Sequence, residues 1–246
     1  MSIVRHAPTV RPEVVSPETM YRAVCRLGIV PFFENPITGW SVEELTPPRF
    51  WFDGDGPELG PWDWKIDCVQ SGDIAYGKFL WGGKAAFATV EWYRELMNYR
   101  RSLPKYAPTP DQQKILNFLA ANGSVSIKEV RGLLGVKKGP ADAQITKLMM
   151  QCRVVTGDIT RVYRGEDLHY NGWQVSSFCS PEGLFETDAE PLPGAGPAAP
   201  FPSGFPFESV SLRVDHSPAE SLRRLVEHIK EVYPAAPEAL VLKALG

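Results

Sequence analysis

Residues 109–152 read TPDQQKILNFLAANGSVSIKEVRGLLGVKKGPADAQITKLMMQC, and the fold turns on how this run divides. Thr109 is an N-cap followed by Pro110 at the first helical position, and Gly123 closes the helix, leaving Ile115, Leu116 and Leu119 on one inward face. Val125 is a short extended link. Ser126 and Glu129 then form a capping box for a helix of about two turns that ends at Gly135. After VKKG a third helix begins with Pro140 at its first position and places Ile145, Leu148, Met149 and Cys152 at i, i+3, i+4 and i+7. RVVTGDITRVYR (153–164) and NGWQVSSF (171–178) follow as two strands around a charged loop. Helix, short strand, helix, turn, helix, hairpin is the order of a winged helix, and it predicts such a domain over residues 107–187.

Charge points the same way. The chain has 246 residues and a formal net charge of −3, yet residues 100–164 carry 12 basic and 4 acidic side chains. In helix-turn-helix modules the recognition helix enters the major groove while basic residues hold the backbone. Gln144, Lys147 and Gln151 lie off the core stripe of the third helix, Lys137 and Lys138 stand at its entry, Arg153, Arg161 and Arg164 border the wing, and Arg100 and Arg101 lead into the module. These are the expected DNA contacts: Gln can pair with adenine, and Lys can reach guanine or a phosphate. Double-stranded DNA is therefore the expected partner. Winged helices also mediate protein contacts, so a protein-interaction module stays open.

Working outward, residues 1–106 read as an aromatic-rich N-terminal α+β domain. MYRAVCRLG, PWDWKIDCVQSG and TVEWYRELMNYRR read as helices, the last with Thr89 as N-cap. YGKFLWGGKAAF (76–87) is a β-hairpin turning at Gly82-Gly83, with Lys78 and Lys84 on its two strands as further DNA contacts. It is not a phosphate loop, because Lys78 stands where the first glycine of GxxxxGK[ST] belongs and Ala85 supplies no hydroxyl. On the other side, EPLPGAGPAAPFPSGFPF sits in a linker over 188–207. A helical tail (208–246) follows, in which SPAESLRRLVEHIKEVY sets Leu222, Leu225, Val226 and Ile229 on one face. That face must be covered by the N-terminal body or by a protein partner. The fold class is thus α+β.

Other chemistries are excluded. No apolar run approaches the length of a membrane span and no signal core opens the chain, so a cytoplasmic location is expected. Four scattered cysteines and four histidines show no ligand spacing, and the acidic run from Asp53 lacks the EF-hand pattern, so neither metal nor cofactor is expected.

The segments LGIVPFFENPITGWSVEE (27–44), PWDWK (61–65), SGDIAYGKFLWGGKAAFATVEW (71–92), NYRR (98–101) and YNGWQVSSFCSPEGLF (170–185) resemble the AlkZ-related family, small bacterial relatives of the AlkZ/YcaQ winged-helix DNA glycosylases. The resemblance implies DNA binding linked to DNA repair. For the AlkZ-type enzymes it also implies a hydrolase reaction, excision of alkylated bases, in which a Gln-hydrophobic-Gln motif handles the attacking water. The nearest segment here is Met149-Met150-Gln151, which lacks the first glutamine, and one winged helix is evident where larger AlkZ-type chains carry several in tandem. Such chemistry needs a carboxylate or amide and an aromatic pocket for a flipped base. Gln151 and Asp73 are the catalytic candidates, with Asp67 beside them. Trp62, Trp64, Tyr76, Trp81 and Tyr99 are available to stack on a base or to fill the core.

Overall fold

The computed structural model describes residues 13–51, 59–186 and 211–246. The linker expected over 188–207 falls outside these residues, as does the acidic run from Asp53 to Glu58. The described residues form an α+β fold with two antiparallel three-stranded sheets.

The first half runs α1 (Pro17–Leu27), β1 (Ile29–Pro31), α2 (Val42–Leu45), α3 (Pro61–Gln70), β2 (Ile74–Leu80), β3 (Lys84–Thr89) and α4 (Val90–Arg101). A Ser16–Thr19 capping box starts α1, and its chain then turns at Gly28 into β1. This strand is too short to show a period, and it pairs with the far edge of β3, giving the order β1-β3-β2. The hairpin turns at Gly82 (φ 69°) and Gly83 (φ 108°), a backbone that side chains resist. Thr89 occupies the N-cap position of α4, but its side chain makes no capping bond. Phe32, Trp40, Phe79, Phe87 and Tyr93 are fully buried and build the core under this sheet.

The middle runs α5 (Pro110–Asn122), β4 (Ser124–Ser126), α6 (Ile127–Leu134), α7 (Lys138–Met150), β5 (Val155–Arg164), β6 (His169–Cys179) and the short α8 (Pro181–Phe185). Thr109 with Gln112 and Ser126 with Glu129 make complete capping boxes, and Gly135 closes α6 in the left-handed conformation. Pro140 is not the first residue of α7, which begins two residues earlier with Lys137 as its cap. The first-turn N–H groups have no intrahelical acceptor, so a proline at the third position costs nothing there. The second sheet has the order β4-β6-β5, and the β5–β6 ladder shifts register between Thr156 and Asp158 and again between Arg161 and Tyr163. Ile115, Leu119, Val130, Ile145, Leu148 and Val154 form the core of this unit.

The tail runs α9 (Pro218–Val232) and α10 (Glu238–Leu245). Its apolar face is covered by this chain itself: α9 packs on α4, and Leu225, Ile229, Val241 and Leu245 join the core of Trp40, Tyr93 and Leu96. Each such aliphatic burial stabilises by about 1.5–3 kcal/mol. The fully buried Glu95 of α4 accepts from Ser221 Oγ (2.6 Å) and His216 Nε2 (2.7 Å) and pairs with Arg224 (3.2 Å). The Trp92 and His228 rings stack at 3.7 Å.

The two sheet-bearing units meet along a tight seam. α3 lies against β5 and α7 against β2. Trp62 Nε1 donates to the Gly172 carbonyl at 3.1 Å, where a Cβ on Gly172 (φ +84°) would meet Leu59 Cδ1 at 2.5 Å. Gly77 and Gly83 let the hairpin approach Met149, Thr146 and Met150 of α7.

Candidate functional site

α3 carries apolar residues on nearly every side, so its polar residues Asp63 and Lys65 are buried with them, at 0% and 3% exposure. Groups on β5 and β6, with one backbone amide beside α3, hold Asp63 in place. Its Oδ1 accepts from Arg161 Nε (3.2 Å), the Tyr170 hydroxyl (2.5 Å) and Gln174 Nε2 (3.2 Å), and its Oδ2 accepts from the Leu59 amide (2.5 Å). Both oxygens are thereby committed, and Asp63 acts as an anchor for the β5–β6 hairpin. Burial and the hydrogen bond to Asp63 raise the Tyr170 phenol above its ordinary value.

Lys65 is held differently. Its Nζ donates to the Trp62 carbonyl and to Gln174 Oε1 (2.5 Å), both neutral acceptors, and sits 3.5 Å from the Trp62 ring centroid. Burial lowers its ammonium from 10.5 to about 7. The nearby Arg161 charge adds to the fall, whereas Asp63 opposes it.

These groups border a cavity of about 390 Å³ between α3, β2 and β3 on one side and α6, α7, β5 and β6 on the other. Trp62 and Tyr76 supply aromatic wall, and Ile145, Met149, Ile159 and Phe178 supply apolar wall. Lys65 and Gln174 present an amine and an amide, and the exposed Lys78, Lys128 and Lys138 also line it. A volume in the range of small-molecule sites, apolar walls and a few convergent polar groups suit a planar ring, while the lysines suit an anionic group attached to it.

The sequence-derived contacts divide sharply by exposure. Lys78, Lys84, Lys137, Lys138, Lys147 and Arg164 are exposed, although Lys138 is paired with Asp142 (3.2 Å). Arg153 and Arg161 are half-buried, the latter committed to Asp63. Arg101 pairs with Glu182 and donates to the Cys152 carbonyl. Arg100 is 1% exposed and donates to the Leu245 and Met150 carbonyls, which takes it off the surface. Gln151 is buried, and its Nε2 donates to Gln112 Oε1 (2.9 Å). Gln112 Nε2 in turn donates to Gln144 Oε1 (3.1 Å), so both glutamines are drawn toward α5. The catalytic expectations for Gln151 and Asp73 fall away from the cavity, since neither lines it and Asp73 accepts from the Tyr21 and Ser71 hydroxyls. Asp67 does not line it either. Of the five aromatics available for stacking, Trp62 and Tyr76 reach the cavity, while Trp64 packs on Phe50, Trp81 packs on Trp40, and Tyr99 does not line it.

Lys65, Asp63, Tyr170 and Gln174 are not among the residues that sequence reasoning picks out. The available signal is in α3: WDWKIDCV has no polar face, so its charges must be buried or paired. Among the described residues no group of three or more His, Cys, Asp or Glu side chains is placed to hold a metal, and no helix is long and apolar enough to cross a membrane.

The family model described as AlkZ related matches residues 14–197. The chain belongs to the AlkZ-related family. The match spans both sides of the seam, so every residue lining the cavity lies within the AlkZ-related region. No curated protein and no solved structure matches the chain.

Proposed function

We propose that this AlkZ-related chain is a DNA-repair protein that binds duplex DNA and receives an extruded nucleotide in the seam cavity. The observation that carries this reading is the cavity itself. It has Trp62 and Tyr76 as walls, Gln174 and Lys65 as polar groups, and Lys78, Lys128 and Lys138 positioned for phosphates. The element order α5-β4-α6-α7-β5-β6 with the sheet order β4-β6-β5 supports a winged helix over 107–187. Its mode of docking differs from simple insertion of α7 into a major groove. Asp142, Thr146 and Met149 of α7 face the cavity and Gln144 is engaged by Gln112, leaving Pro140, Ala143 and Lys147 as the exposed stripe. The duplex is instead held mainly through its backbone, around the cavity mouth.

Fluorescence anisotropy across salt concentration tests this reading. Lys78→Ala, Lys128→Ala and Lys138→Ala combined should weaken binding and reduce the slope of log K against log salt by about 0.9 for each phosphate that is no longer neutralised. No binding at low salt, or an unchanged slope, rejects it.

The aromatic walls favour one further reading, base excision. Incubation with alkylated duplex should then release base and leave abasic sites, and Gln174→Ala should abolish the product. No product across several alkylated bases rejects catalysis while leaving the binding reading standing.

A further inference from the structure

The cavity's most unusual group is an amine. Asp63, the buried carboxylate behind the cavity, has both oxygens occupied by donors from Leu59, Arg161, Tyr170 and Gln174 and is not placed to activate water. Lys65 instead lines the cavity. A neutral lysine carries two N–H groups and one lone pair. The Trp62 carbonyl and Gln174 Oε1 match the two N–H groups, and neither acceptor takes up the lone pair of this cavity-lining residue.

We propose that Lys65 forms an imine with the aldehyde carbon of an abasic deoxyribose in DNA, held in the cavity with its flanking phosphates on Lys78, Lys128 and Lys138. The inference rests on the DNA-binding reading above and names the substrate class that the same cavity takes. Nζ attacks C1′ of the ring-opened sugar, and the carbonyl π electrons move to oxygen. Both amine hydrogens leave with that oxygen as water, and a C1′=Nζ double bond remains. Amine plus aldehyde gives imine plus water, with no oxidant or reductant, and hydrolysis reverses the step. Burial supplies the nucleophile, because an ammonium lowered to about 7 is substantially neutral near neutral pH, where an exposed lysine is almost wholly protonated.

The test is reductive trapping of the full chain on a duplex with one abasic site, with borohydride present, alongside anisotropy on the same duplex. Borohydride delivers hydride to the imine carbon and fixes the adduct as a secondary amine. The expected result is a covalent protein–DNA product that maps to Lys65 by peptide mass spectrometry, is absent with undamaged duplex and disappears in Lys65→Met. Mapping on the unaltered chain decides the matter even where the variant fails to fold. Binding to the abasic duplex without a trapped product, or a product mapping only to Lys78, Lys128 or Lys138, overturns the proposal and leaves DNA binding intact. Failure to bind the abasic duplex overturns the DNA-binding reading, and with it this substrate. Free 2-deoxyribose 5-phosphate then still shows whether Lys65 is the reactive amine, since labelling there keeps the imine chemistry and no labelling ends it.

Discussion

Replacing Lys65 by Met should change how stability depends on pH, by an amount that follows from burial. The side chain is 3% exposed, and its ammonium falls from 10.5 to about 7 mainly through loss of hydration. Below about pH 7 both the folded and the unfolded chain hold the proton, and the fold bears the whole cost of burying the charge, about 5 kcal/mol at 1.36 kcal/mol per pH unit. Between about pH 7 and 10.5 the unfolded chain holds a proton that the folded chain has released, so stability rises with pH through this window. Integrated from about pH 6.5 to about pH 9, this one group contributes a gain of about 2.5 kcal/mol. Lys65→Met has similar length and no charge, and its own pH-independent cost, from removing the bonds to Trp62 and Gln174, cancels in the comparison. Urea unfolding of both proteins at the two pH values should show the wild type gaining that amount relative to the variant. Parallel behaviour within about 0.5 kcal/mol would refute the claim that Lys65 is buried as an ammonium of lowered affinity for its proton.

Three further outcomes are expected. Glu95→Gln keeps the shape of the buried acceptor but removes the charge that His216 and Arg224 face, and should cost about 2–4 kcal/mol in urea unfolding. A change under about 0.5 kcal/mol would mean that the Glu95 charge adds nothing measurable to the docking of the tail. Gly83→Ala should cost more than Gly82→Ala in thermal melts: both have positive φ, but a Cβ on Gly83 would stand 3.0 Å from Thr146 Cγ2 while one on Gly82 meets open space. Equal losses would show that the hairpin does not press on α7. Tyr170→Phe removes a donor from buried Asp63 and should cost about 1–3 kcal/mol by the same assay, and a neutral result would show that Arg161 and Gln174 satisfy the carboxylate without it.

The middle of the chain is legible in the sequence because its punctuation is local. Thr109 with Gln112 and Ser126 with Glu129 each close a cap within one helical turn, and Gly123 and Gly135 end the helices that those caps begin. The hairpin at Gly82-Gly83 is legible for the same reason, since positive φ at a turn selects glycine. The cavity is not, because its parts come from distant segments: Lys65 meets Gln174 across 109 residues, and Asp63 meets Tyr170 across 107. Basic composition misleads most at Arg100, since whether an arginine faces solvent or a buried carbonyl depends on a helix that arrives far later in the sequence. Gln144 and Gln151 sit off the apolar stripe as expected, yet the side they occupy is filled by Gln112 of α5.

The clasp at Arg100 also sets a timetable for synthesis. The arginine emerges 145 residues ahead of Leu245, whose carbonyl it needs, and 50 ahead of Met150. At about 5–20 residues per second the longer wait is about 7–30 s, far beyond the time a hairpin needs to form. Through that interval the Trp81 amide lacks the Ala244 carbonyl, and the aromatic core around Trp40 and Tyr93 lies open on the side that α9 and α10 will cover. The nascent chain therefore passes through that interval as a half-closed body with an uncapped apolar flank, and its vulnerability to misassociation ends only when α10 is delivered.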